Sequence, residues 1–163
     1  MGRWRPPLPK GSPYITRKGF ERLQEELKAI WVRRADVVKA LSAAAAEGDR
    51  SENAEYIYRK KELGGIDRRI RYLQRRMPDL NIVDQAPQQE RVFFGAWVKL
   101  KPAAGKAVEY RIVGADEADA DTNCISVDSP LAQALLKKHV DDKVQLTINQ
   151  DKSSFVIKNI RYE

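Results

Sequence analysis

Little in this chain is suited to chemistry of its own. A single cysteine, Cys124, excludes an intramolecular disulfide framework and suits a reducing compartment, here the cytoplasm. It opens a strand-like run, Cys124–Val127, and reads as a small buried hydrophobe rather than a reactive thiol. His139 is the only histidine, and without cysteine partners it makes no zinc site. No apolar run approaches the roughly 18 residues that a membrane span needs. The first residues carry charge without an apolar stretch behind it, so no signal peptide is expected. There is no His–Ser or His–Cys pair, no glycine-rich phosphate loop and no complete metal cluster. The chain is therefore expected not to be an enzyme, and to carry no cofactor of its own.

What the sequence does have is charge on helical patterns. Of 163 residues, 33% are charged and 42% apolar, which fits a soluble protein with a long, solvent-washed helical part. Residues 1–80 hold 19 Lys/Arg against 11 Asp/Glu, whereas residues 81–163 hold 11 against 12. The basic half is the helical half, and a positive stalk suits a polyanion partner. The plain alternative is a solvated coiled-coil surface with no partner at all.

Residues 1–13 contain four prolines together with Arg3, Trp4, Arg5 and Lys10, and are expected to form a mobile N-terminal arm. Thr16 is a candidate N-cap. After it Phe20, Leu23, Leu27, Ile30, Val37, Leu41 and Ala44 recur at three-, four- and seven-residue spacings, a seam for a helix partner, with Arg34 interrupting it. Tyr56, Leu63, Ile66, Ile70, Leu73 and Met77 give a matching seam, and Pro78 stops it. The short polar break between them predicts an antiparallel hairpin over 14–80, about 40 Å long at 1.5 Å per residue. The matched seams satisfy each other, so a monomer is expected. Gly64 and Gly65 fall mid-helix, where they either kink the stalk or are tolerated.

Beyond Asn81 the apolar period switches to two. Val92–Leu100, Glu109–Val113, Cys124–Val127, Val144–Ile148 and Phe155–Ile160 read as strands. Asp128-Ser129-Pro130 opens a helix with Pro130 at its first position. Residues 81–163 thus predict a small α+β domain of antiparallel sheet and one helix, joined through a polar linker at Asp79–Gln89.

The break itself places Glu47, Gly48, Asp49, Arg50, Ser51 and Glu52 at the hairpin tip. Asp49-x-x-Glu52 reads structurally as a capping box. Functionally, two carboxylates cannot enclose Mg²⁺, which prefers six oxygens, but they can share an ion held elsewhere. Two-metal phosphodiester hydrolysis needs such an extra ion and an activated water.

The run GDRSENAEYIYRKKELGGIDRRIRYL, with VFFGAWV, EYRIVG and SVDSPLAQALLKK, resembles the GreA/GreB family of bacterial transcript cleavage and elongation factors. The likeness extends from Thr16 to the C-terminus. It implies a coiled-coil hairpin followed by an FKBP-like domain without prolyl isomerase activity. It implies a protein that binds RNA polymerase, enters the secondary channel and stimulates the polymerase's own cleavage of backtracked RNA. On this resemblance Asp49 and Glu52 help to hold a shared Mg²⁺, while Asp128 and Pro130 dock on a coiled coil at the channel rim. The basic residues Arg59, Lys60 and Lys61 just past the tip are then placed to contact the nascent RNA 3′ end. Two departures are a longer segment before Tyr14 and the Gly64-Gly65 pair. Two other readings stay open: a channel-binding inhibitor without cleavage stimulation, and a free-standing nucleic-acid-binding coiled coil.

Overall fold

The computed structural model describes residues 10–49, 52–84 and 90–162. Arg3, Trp4 and Arg5 of the expected arm, Arg50 and Ser51 of the tip, and 85–89 of the expected linker lie outside the described residues. The chain forms two compact units, one of Phe20–Leu80 and one of Met1–Gly19 with Asn81–Glu163. Among the described residues, no helix is long and apolar enough to cross a membrane.

In the first unit the helices α1 (Arg17–Ala45) and α2 (Ala54–Arg76) form the hairpin. Every seam residue is at least half-buried, and Val37, Ile66 and Ile70 form a buried cluster packed by Leu27, Ile30 and Leu63. Each such side chain contributes roughly 1.5–3 kcal/mol on full burial. Arg34, the interruption in the seam, reaches across to Asp67 at 2.7 Å. Arg33 pairs with Glu62 at 2.6 Å, and Arg69 grips Glu26 through two bonds of 2.6 and 3.0 Å. Glu26 near the start of α1 pairs with Arg69 near the end of α2, and Arg33 further along α1 pairs with Glu62 earlier on α2, so the helices run antiparallel. The half-exposed pairs are worth about 0–1 kcal/mol each, so they set register more than stability. Helix α2 continues unbroken through Gly64 and Gly65, and nothing lies closer than 3.5 Å to a methyl built on either. The pair is therefore tolerated rather than required. Pro78 follows Met77, the C-cap of α2, in a single 3-10 turn.

The second unit begins earlier in the chain than the sequence suggests. Strand β1 (Tyr14–Thr16) pairs in parallel with β2 (Asn81–Val83), inside the stretch expected to be a linker. Two three-residue strands are too short to display a period of two. The arm likewise ends sooner than Pro13: the carbonyl of Pro13 accepts from the Asn81 amide at 2.7 Å, and Ser12 is hydrogen-bonded to Asp128. Thr16 caps α1 as expected, its hydroxyl accepting from the Gly19 amide at 3.0 Å. In a capping box the third helical residue would return a carboxylate to the cap. Here that residue is Gly19, and Glu117, far along the chain, supplies the carboxylate. It accepts from the Thr16 amide at 3.0 Å, from the Thr16 hydroxyl and from the Gly114 amide at 2.9 Å. A Cβ at Gly19 would lie 2.0 Å from the Glu117 Oε1, so Glu117 keeps this position only beside a residue without one.

The main sheet has the order β5-β4-β3-β7-β6. Its strands are β3 (Trp97–Pro102), β4 (Val108–Val113), β5 (Cys124–Ser126), β6 (Lys143–Ile148) and β7 (Asp151–Arg161), with helix α3 (Pro130–Leu135) before β6. The sheet is mixed rather than wholly antiparallel, because β5 runs parallel to β4. The loop 114–123, closed by a bridge between Asp119 and Cys124, carries the chain back so that β5 starts beside Arg111. The run Val92–Leu100 becomes strand only from Trp97; its first residues turn at Phe94-Gly95. Val92, Val98, Leu100, Ile112, Ala132, Leu135 and Ile157 form the fully buried core, onto which Leu131 and Leu136 pack. Cys124 is half-buried rather than buried.

Candidate functional site at the hairpin tip

After α1 ends, the amides of Ala46 and Glu47 bond back to Ala43 and Ala44 at 3.2 Å, closing the last turn. Gly48 then takes φ +127°, a conformation that side-chain-bearing residues rarely adopt, and reverses the chain. Helix α2 is capped by Asn53, whose Oδ1 accepts from the Tyr56 amide at 3.1 Å. The Nδ2 of Asn53 donates to the Ala44 carbonyl at 2.7 Å, so one side chain starts α2 and ties it to the end of α1. This corrects the capping-box reading of Asp49 and Glu52. Glu52 lies in the turn before the cap rather than at the third helical position, and both acids are exposed. The N-cap of α2 is therefore Asn53, and neither acid is that cap.

Three cations follow, and the structure separates them. Arg59 sits between Glu55 at 2.8 Å and Glu62 at 3.0 Å. Its hydrogen bonds to these two carboxylates raise its pKa above the ordinary arginine value, and its charge is locally balanced. Lys60 and Lys61 are exposed, with the Lys60 ammonium 6.0 Å from the ring of Tyr56. Successive helical residues are about 100° apart, so these three cannot share one face. The same segment shows two apolar residues that pattern reading passed over, Ile57 and Tyr58, which are 53% and 59% exposed. Their signal was available: both are large apolar residues off the seam.

Asp128 and Pro130 stand together at the start of α3, and both are exposed. The N-cap is Ser129, whose hydroxyl accepts from the Ala132 amide at 3.2 Å, while Pro130 occupies the first helical turn. Asp128 therefore has no capping duty. Its carboxylate accepts from the Ser12 amide at 2.7 Å and from the Ser12 hydroxyl. His139, with Arg91 donating to its Nε2 at 3.1 Å, has no part in either cluster.

Residues 13–82 match the family described as Transcription elongation factor, N-terminal, and residues 87–162 match Transcription elongation factor, GreA/GreB, C-term. The chain belongs to the GreA/GreB family. It is 56% identical to transcription elongation factor GreB of Xanthomonas axonopodis pv. citri, over 99% of this chain and 98% of that protein. It is 48% identical to GreB of Pseudomonas aeruginosa, with the same coverage. Among solved structures it is similar to the GreA factor homolog Gfh1 of Thermus thermophilus, with 25% identity and a TM-score of 0.42. That match covers 91% of this chain and 97% of the other.

Proposed function

We propose that this protein is a cytoplasmic transcription elongation factor that binds RNA polymerase as a monomer and passes its hairpin tip into the secondary channel. There it stimulates the polymerase's own Mg²⁺-dependent cleavage of backtracked nascent RNA. The observation that carries this reading is the division of labour at the tip. Asn53 caps α2, and two exposed acids, Asp49 and Glu52, precede it at the end of the hairpin.

Among the described residues, no three of His, Cys, Asp or Glu gather into a metal site. Two carboxylates fit a shared ion and not a private one, since Mg²⁺ takes six oxygens. The remaining ligands would come from the polymerase, so this chain would contribute acids in trans to the polymerase's own cleavage. When bound, the ion stabilises charge on the phosphodiester and activates a water for attack. Asp49 and Glu52 are the residues that would hold such an ion, which would supply the activated water. Of the three cations past the tip, Lys60 and Lys61 are placed to meet the RNA backbone near its 3′ end; Arg59, held by Glu55 and Glu62, chiefly braces α2. Asp128 and Pro130 make the contact at the channel rim.

The test is cleavage of nascent RNA in a stalled polymerase complex, with and without the full-length protein. Shortening of the RNA from its 3′ end only when the protein is added supports the proposal. Polymerase binding with slower RNA synthesis and no cleavage would favour the channel inhibitor. Salt-sensitive binding to naked RNA without affinity for polymerase would favour a free-standing binder.

A further inference from the structure

We propose that Ser12 is a positioning residue for polymerase docking, fixing the Asp128 carboxylate in the orientation that its partner reads. The inference rests on the reading of Asp128 as a docking residue. An ionised carboxylate has about four acceptor positions on two oxygens. Ser12 uses both oxygens at once: its amide donates to Oδ2 at 2.7 Å and its hydroxyl donates to Oδ1. Two donors from one residue stop the carboxylate from turning about its terminal bond. Acceptor capacity remains on each oxygen for a cationic or amide donor from outside.

Ser12 can do this because it is itself anchored. The Pro13 carbonyl accepts from the Asn81 amide, and Tyr14–Thr16 are paired with Asn81–Val83 directly afterwards. On the other side the Asp128 amide donates to the Ser126 hydroxyl at 3.1 Å, and Val127 is buried. Both ends of the contact therefore sit on fixed backbone. An exposed hydrogen bond between two such points adds little stability, because water replaces it well. Its effect is to hold an exposed acid in one orientation, and a pre-set carboxylate binds a partner without losing rotamer freedom on association.

The experiment uses full-length protein and polymerase, comparing Ser12→Ala, Ser12→Thr, Asp128→Ala and Ser12→Ala/Asp128→Ala. Affinity, melting temperature and cleavage rate at saturating factor are measured for each. Ser12→Ala should weaken binding roughly three- to tenfold, the range of one ordinary hydrogen bond. Ser12→Thr keeps the hydroxyl and should bind like wild type. Cleavage at saturation and melting temperature should hold, and the double variant should be no weaker than Asp128→Ala alone. If Ser12→Ala binds as well as or better than wild type while Asp128→Ala is weakened, Ser12 is a bystander or a mask and the proposal fails. If Asp128→Ala itself binds normally, the docking reading falls, and this inference with it. Additive losses in the double variant would show that Ser12 acts without Asp128, and would also overturn it.

Discussion

Gly19→Ala is expected to destabilise the protein, although the same change in most helices would stabilise it. The new methyl would sit 2.0 Å from Oε1, 2.4 Å from Cδ and 2.6 Å from Cγ of Glu117. The Glu117 side chain must then leave, and with it go its bonds to the Thr16 amide, the Thr16 hydroxyl and the Gly114 amide. At about 1 kcal/mol for each part-buried bond the loss is about 3 kcal/mol. Alanine returns at most about 1 kcal/mol in helix propensity, less in a first turn. The net cost is about 2 kcal/mol, or roughly 4–8 °C in melting temperature for a chain of this size. Thermal unfolding followed by far-ultraviolet circular dichroism reads it. The decisive comparison is Gly19→Ala in a Glu117→Ala background, where the obstacle is gone and alanine should be neutral or stabilising. A Gly19→Ala protein as stable as wild type would refute the reasoning, as would an equal loss in both backgrounds.

Gly64→Ala and Gly65→Ala should each raise stability by up to about 1 kcal/mol, since a methyl at either position meets nothing closer than 3.5 Å and glycine is the poorer helix former. Asn53→Ala should cost about 1–2 kcal/mol by chemical denaturation, because it removes the cap of α2 and the tie to Ala44 together. The Glu62 carboxyl is held below its ordinary pKa of 4.5, mainly by its hydrogen bond from Arg33, with burial opposing and Arg59 assisting. A depressed carboxyl stabilises the fold above its unfolded pKa and loses that contribution as pH falls through the folded one. Hairpin melting should therefore drop as pH falls below about 4.5, and Glu62→Gln should flatten that limb.

How much of this was readable in the sequence depended on distance along the chain. The two seams were legible because Val37, Ile66, Ile70 and Leu73 repeat at helical spacing and are buried as that spacing requires. Thr16 and Pro130 were legible because a helix start is set by a few adjacent residues. The tip misled because two cap signals overlap within five residues. Asp49-x-x-Glu52 fits the capping-box pattern, but Asn53, an equally good cap, stands one position from the first helical residue and wins. Glu117 on Thr16 and Ser12 on Asp128 were not legible, since each joins residues more than a hundred positions apart through one side chain. The β1–β2 pair was hidden by its brevity, and the parallel placement of β5 by a loop whose path no local pattern records.

The central claim is that the two tip acids act in catalysis and not in folding. The most direct measurement is the rate of nascent RNA cleavage in a stalled polymerase complex at saturating factor, for Asp49→Asn and Glu52→Gln. Affinity for polymerase and melting temperature are recorded alongside. The account predicts that either substitution abolishes stimulation, while binding stays within a few-fold and melting hardly moves, since Asn53 carries the cap. Wild-type cleavage by both amide variants would contradict it.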